Sequence, residues 1–598
     1  MELSGLLALL RSRPAYDALL DEFSEATPRL RGRGYSLALL KSARPYVAAA
    51  LSRDLRRPAV IVAARPARAN QIYSQLRQWL SSSRVYYFSE PDPLPYEKLP
   101  WSGETTLQRL NALAALAPYF ASPLTRKQAE TGEPPIVVAS ARALLDMTIP
   151  RREFLMGLRV LRLGQTVNLI KLIENWVAVG YRGVDVVEEP GTFSRRGGII
   201  DLFPPSERWP VRIELFGDEI DSMRQFDPGT QRSIQPVEEI VVTPASEALP
   251  KFGPAAAERL GQLDLSNCHP IAESDYVQDR ELLAAGEMIR GIEFYIPYLY
   301  SQPGRFLDFL PERGLLLLED RAELHDAVAE FLAQAEENRE TARKSGDLPQ
   351  GFAPALWDWT AEWPAVQGRT DLELGYGAEE AVVEGGGEKL GDLFSHAPRY
   401  GGRLKQIVAE CAEMAGAGDR VIMVSRQARR LIELFRESNQ AIIETDGISE
   451  PPPAGSVSAL RGVLTEGWIL NANLATAAPG SERWTSTVLL TDAELFGWSR
   501  PGRRLQRRSR GLAPEAFFSD VSAGDYVVHI EHGIGIYRGL VKMTLDGIER
   551  EYLQVDYAQG DRLYVPVHQA DRLTRYVGAG EEGPRLNRLG AADWDATK

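Results

Sequence analysis

The chain has 598 residues, 44% of them hydrophobic and 25% charged, and carries a formal net charge of −14 at pH 7. That length exceeds one hydrophobic core and predicts about three to five domains; the composition excludes a fibrous or largely disordered chain, and the acidic balance disfavours non-specific coating of nucleic acid. Two cysteines, Cys268 and Cys411, lie far apart without CxxC spacing, which excludes a disulfide framework and a cysteine-based zinc site.

From the start, Glu2 stands where a signal peptide needs a basic head, so the first residues read as a soluble helix. Apolar strands at 59–63, 85–88 and 136–139, each followed by helix-forming sequence, are α/β grammar. From about residue 161 the texture changes. A helix presenting Ile170, Ile173 and Val177 precedes Gly-rich strand sequence at 193–203 and 211–216, which predicts an inserted α+β domain. The run 315–318 predicts that the first α/β unit resumes.

Acids, small residues and a glycine triplet at 385–387 give the stretch 357–392 the composition of a flexible connector. A second α/β pattern follows, with strands at 421–425, 441–444 and 487–490. An arginine-dense tract at 500–510 comes next, read as a solvated linker in preference to a phosphate-binding segment. Four β-rich runs at 525–530, 535–540, 550–557 and 562–567 suit a small barrel. No apolar run reaches the roughly 20 residues that span a bilayer, so no membrane insertion and a cytoplasmic location are expected.

Catalytic signatures are missing. A phosphate loop needs Gly-x-x-x-x-Gly-Lys-Ser/Thr, and the chain has no Gly-Lys dipeptide; at the corresponding place stands LLKSARP (39–45), without either glycine. Asp492 and Glu494 follow a strand as a Mg²⁺-binding acid pair would, but with no nucleotide to serve they are expected to be a solvated strand end. The six histidines form no triad or metal cluster with serine, cysteine or acids. No catalytic residue, metal or cofactor is therefore predicted.

Three stretches carry a family resemblance. Residues 524–537 (GDYVVHIEHGIGIY), with 551–553 (EYL) and 563–567 (LYVPV), resemble the RNA-polymerase-interacting domain of transcription-repair coupling factors, a module shared with CarD-type regulators. Residues 191–204 (GTFSRRGGIIDLFP) and 212–222 (RIELFGDEIDS) resemble the UvrA-binding domain shared with UvrB. Supporting similarity lies in DAELFG (492–497) and LPYE (94–97).

The resemblance implies a multidomain α/β chain. A UvrB-like domain with a degenerate nucleotide site (1–150) carries a UvrA-binding insert (151–243) and resumes at 244–350. A linker (351–395), a second α/β domain (396–499), a basic linker (500–518) and a CarD-type, SH3/Tudor-like barrel (519–578) follow. Residues 579–598 are expected to begin a connection to a translocase that the sequence does not reach. The implied partners are UvrA, through Arg196, Arg212 and Phe216, and the RNA polymerase β subunit, through an exposed edge strand bearing Ile536, Leu540, Val541 and Met543. A strand edge binds by backbone pairing, and its side chains set register. The bland reading has the arginines paired with acids such as Glu214 or Asp218, and the apolar residues in the barrel core. DNA contact, ATP and Mg²⁺ are implied only for the absent translocase. Rival readings are a CarD-like transcription regulator and a UvrB-like damage-recognition ATPase.

Overall fold

A computed structural model describes residues 2–24, 35–80, 82–120, 133–375, 379–380, 389–472, 485–497, 524–529, 533–545, 548–558, 561–566 and 573–575. The chain divides into two compact units, Met1–Arg500 and Pro501–Lys598.

In the first unit, seven strands among the described residues form one sheet, ordered Glu379–Glu380, Tyr35–Ser36, Leu372–Glu373, Leu315–Leu318, Ala59–Ala63, Ile136–Ser140 and Val85–Phe88. Each of its neighbouring strand pairs is parallel. Parallel sheets are covered on both faces, which is why AVIVA, IVVAS and LLLL read as unbroken apolar runs. Alternate side chains nevertheless serve different cores. Val60, Val62, Val137 and Leu316 join one cluster, and Ala59, Ile61, Val138 and Leu317 the other.

The expected connector at 351–395 needs correction. It carries a helix, Trp359–Arg369, and the strand Leu372–Glu373, which lies inside the first sheet between Leu315–Leu318 and Tyr35–Ser36. One of its acids is structural: Asp371 is buried, accepts the Leu316 N–H at 2.8 Å and pairs with Arg369 at 3.0 Å. The glycine triplet at 385–387 lies outside the described residues.

A second sheet of six strands, ordered Phe394–Ser395, Trp468–Leu470, Thr487–Thr491, Arg420–Ser425, Val457–Arg461 and Ile443–Glu444, bears out the second α/β pattern. It shares a core with the first. Helices Arg44–Leu55 and Pro66–Trp79 pack on both sheets, and Tyr46 meets Trp79 and Trp468 at centroid distances of 5.0 and 4.7 Å, while Phe394 meets Trp468 at 5.6 Å. The amino-terminal segment adds backbone bonds, Gly5 N–H to Ile448 O at 2.8 Å and Ile448 N–H to Glu2 O at 2.7 Å.

The insert leaves and returns through paired strands, Arg159–Arg162 against Glu239–Val242. Between them six strands are ordered Ser233–Pro236, Glu219–Phe226, Val211–Phe216, Ile199–Phe203, Thr192–Arg196 and Arg182–Gly183. Strand alternation sends Phe193, Ile200, Leu202, Val211, Ile213 and Met223 into the core with Trp176. The helix Leu169–Ala178 buries Trp176, with Leu169 and Leu172 partly covered, and leaves Ile170 66% exposed. Two apolar stripes compete on this helix, and the one bearing the large indole faces inward.

The second unit holds five antiparallel strands among its described residues, ordered Arg562–Pro566, Ile548–Asp556, Gly533–Leu545, Tyr526–His529 and Leu573–Arg575. Val527, Tyr537, Leu553, Val555, Tyr557, Val565 and Leu573 form its core. The short fifth strand was not visible in the sequence pattern. The expected basic linker and residues 579–598 lie outside the described residues.

Candidate interaction sites

Cross-strand register places the three residues assigned to the insert on one face. Arg196 stands opposite Ile199, Ile199 opposite Glu214, and Asp201 opposite Arg212; Phe216 follows Arg212 and Glu214 in the alternation of its strand. This face is opposite the core-facing set, and Phe216, at the tip of its hairpin, is 82% exposed. The same face carries Ile199, partly exposed, and Arg224, exposed and directly opposite Arg212. Neither was singled out from the sequence, although the two-residue period through 194–196 and 199–201 would have found Ile199. A bulge between Ile220 and Ser222 obscures the period leading to Arg224.

The arginines have internal partners, though not the acids expected. Arg212 donates to Asp201 through Nε at 2.7 Å and Nη2 at 2.8 Å and lies over the Phe226 ring at 4.9 Å. This fork holds the guanidinium pKa above its ordinary value. Arg196 donates to the Asp185 carbonyl at 2.9 Å and stays exposed. The face is therefore a pre-set cationic and apolar surface, with Arg212 fixed in orientation by its neighbour.

A buried ion pair ties the helix Gly103–Leu116 to the segment that follows the insert's returning strand. Arg109 and Glu247, 0% and 1% exposed, are joined at 2.6 Å through Nε and 3.1 Å through Nη2, and Thr148 Oγ1 donates to the same carboxylate. Phe88 and Trp101 flank the guanidinium at 4.0 and 4.7 Å.

In the second unit, Gly533–Leu545 is an inner strand for part of its length. Tyr526–His529 pairs with it from Gly533 to Ile536, and Ile548–Asp556 pairs along the rest. Beyond Tyr537 no strand among the described residues pairs with its second edge, so the expected edge is confined to residues 538–545. A bulge at Gly539, φ 117°, shifts the register, a conformation suited to glycine. The consequence is a change of face. Ile536 pairs with Asp556 and Val541 with Tyr552, whereas Leu540 pairs with the buried Leu553, which puts Leu540 on the core side even though it is 46% exposed. Ile536 and Val541 are partly buried. Met543 pairs in the backbone with Arg550; its side chain lies outside the described residues.

Where a phosphate loop would stand, side chains occupy the ground. Buried Glu319 accepts the Arg68 Nε–H with both oxygens, at 2.7 and 2.9 Å, and pairs with Arg44 at 3.2 Å, and Lys41 pairs with Glu323 at 3.3 Å. A triphosphate here would have to break these pairs without gaining a glycine cradle. The expectation of a solvated end at Asp492 and Glu494 is overturned, since both are buried. Asp492 accepts from Ser425 Oγ, and Glu494 accepts the Thr491 and Gly467 N–H groups at 2.9 and 3.0 Å. Burial pushes the Glu494 carboxyl pKa up despite those bonds.

Comparison with known proteins bears on both surfaces. A UvrB interaction domain matches residues 160–247, and a CarD-like/TRCF RID domain matches residues 521–577. A transcription-repair-coupling factor of Mycobacterium bovis is 30% identical over 100% of this chain and 48% of its own length. Over its whole length the chain is similar to transcription-repair-coupling factors. The Bacillus subtilis member is 26% identical over 93% of this chain and 46% of its own length, and that of Myxococcus xanthus 25% over 97% and 48%. The chain thus spans about half the length of these family members. The UvrB interaction match ends at Glu247, the partner of Arg109.

Proposed function

We propose that this chain supplies the tethers of transcription-coupled nucleotide-excision repair: the insert recruits UvrA, and the second unit grips the β subunit of a stalled RNA polymerase. The observation that carries the reading is the collection of Arg196, Ile199, Arg212, Arg224 and Phe216 on the sheet face opposite the main core, beside the small buried cluster of Val187, Phe203 and Phe226. Arginine and aromatic side chains dominate binding energy at protein interfaces, and an exposed phenylalanine beside fixed guanidinium groups has the makings of such a contact.

At the polymerase, the edge at 538–545 accepts a partner strand, with Leu540, Val541 and Met543 setting its register and Ile536 lying in the doubly paired part beside it, in a module that closes as an SH3/Tudor-like barrel. Backbone N–H and C=O groups supply the affinity. ATP-driven translocation and DNA contact belong to the part of the longer relatives that this chain does not match, and these 598 residues work in the cytoplasm without a cofactor. Ion pairing among Arg44, Arg68 and Glu319 supports that assignment. Titration with purified UvrA tests the reading. Binding by the intact chain, weakened in Arg196→Glu and in Phe216→Ala with unfolding unchanged, is expected; UvrA affinity indifferent to both substitutions would overturn it.

A further inference from the structure

The loop at 91–101 (PDPLPYEKLPW), whose LPYE stretch neither tether uses, borders a cavity of about 70 Å³. Asp146 lines it from just beyond the helix Ala141–Leu145 and is 7% exposed. Its Oδ2 is buried without a hydrogen-bond partner among the described residues. Arg109 Nη1 stands 3.9 Å away, too far to donate, and is engaged with the Ser89 carbonyl at 2.9 Å. The partly buried Glu293 lines the same cavity, together with Tyr96, Trp101 and Phe294. Among the described residues one cation lines it, Arg142, whose Nη2 is shared between the Pro91 and Pro93 carbonyls at 3.0 and 2.9 Å and whose buried Nε, like Asp146 Oδ2, has no hydrogen-bond partner among the described residues.

A buried acceptor without a donor is costly, and its presence in a cavity marks a place where a donor arrives. Desolvation pushes the Asp146 carboxyl up to about 6, outweighing the nearby Arg142 and Arg109, and Glu293 up to about 7. The cavity shares Tyr96, Glu97, Leu99 and Phe294 with a wider groove of about 560 Å³. Asp275 and Asp347 line that groove, and Ile271 and Leu99 are 72% and 55% exposed in it. At its rim the chain already seats one ammonium in this manner. Lys98 Nζ lies 2.6 Å from Asp279 and over the Tyr276 and Tyr295 rings at 5.3 and 5.9 Å.

We propose that cavity and groove together form a third docking site, for a basic and aliphatic peptide segment of a partner protein. An arginine of that segment enters the cavity to donate to Asp146 Oδ2, and a neighbouring aliphatic residue covers Ile271 and Leu99. Guanidinium suits the cavity because it donates from a plane that stacks on aromatic rings. The acidic groove repels nucleic acid, and the exposed aliphatic pair favours a peptide over a small free cation.

Saturation-transfer NMR on the intact chain tests this with the probe acetyl-Ile-Arg-Leu-amide, its glutamine analogue and agmatine. Transfer to the arginine peptide is expected, with affinity about tenfold lower for the glutamine analogue and in Asp146→Asn, since each removes one charge-assisted hydrogen bond. Ile271→Ser weakens the peptide several-fold and leaves agmatine unchanged. If Asp146→Asn does not fold, Glu293→Gln gives the same readout from a more exposed position. Equal binding of the two peptides, equal binding of agmatine and peptide, no transfer at all, or affinity unchanged in the acid variant overturns the proposal.

Discussion

Two arginine–carboxylate forks in the first unit have similar geometry and different surroundings. Arg109 and Glu247 are sealed between the helix Gly103–Leu116 and the segment just after the insert, whereas Arg212 and Asp201 lie across neighbouring strands of a more open face, with side-chain exposures of 0% and 1% against 24% and 6%. The lesson is that distance alone does not decide what an ion pair does. Sealed from water, a charge that loses its partner is stranded; on an open face, solvent and a binding partner both compensate it. The first fork therefore fixes the base into which the insert's returning strand leads, and the second shapes what the insert presents.

The strongest way to break this contrast is Arg109→Ala, which strands Glu247 and is expected to cost about 3–5 kcal/mol in urea unfolding of the first unit. A loss below about 1 kcal/mol would make the two forks equivalent. Nearby Asp146 sharpens the point through pH. Its carboxyl is raised to about 6 by burial, outweighing the nearby Arg142 and Arg109, with Glu90 and Glu247 adding to the rise. In the unfolded chain it titrates near about 4. The folded state then holds an extra proton between about pH 4 and 6, so stability falls as pH rises through that window, by about 2–3 kcal/mol. The difference in unfolding free energy between the native chain and Asp146→Asn, measured from about pH 4 to 7.5, should show that slope; a flat difference contradicts it.

On the open face the expected effects move from stability to binding. Phe216→Ala should weaken UvrA by about 2 kcal/mol, roughly 30-fold in titration calorimetry, with an unchanged melting curve. In the second unit, Met543→Arg places charge on the open part of a strand and should lower polymerase affinity about tenfold in a pull-down series, with the five-strand module still folded. Smallest of all, Arg212→Gln should shift urea stability by less than about 1 kcal/mol, because the guanidinium side of the pair is open to solvent and glutamine can still donate to the buried Asp201.

Much of the scaffold was legible because buried parallel strands leave apolar runs that helices interrupt. The strands Ala59–Ala63, Leu315–Leu318 and Val211–Phe216 agree with the expected limits. Residues 357–375 were illegible because Asp371 and Glu373 are polar by type yet buried by pairing, a fact that depends on Arg369 and Arg321 being nearby in the fold. Asp492 and Glu494 misled for the same reason. At the candidate sites, Arg196, Arg212 and Phe216 were visible through resemblance. That they share a face could be read only after the hairpin turns fixed register, and the separation of Ile536 from Leu540 required knowing that Gly539 forms a bulge.

The aromatic seam of Tyr46, Trp79, Phe394 and Trp468 has a practical consequence for anyone dividing the chain into smaller expressible pieces. A cut near residue 395, which composition invites, would strip one wall from helices that need two and lay bare indole and phenyl rings to solvent, producing aggregation-prone halves.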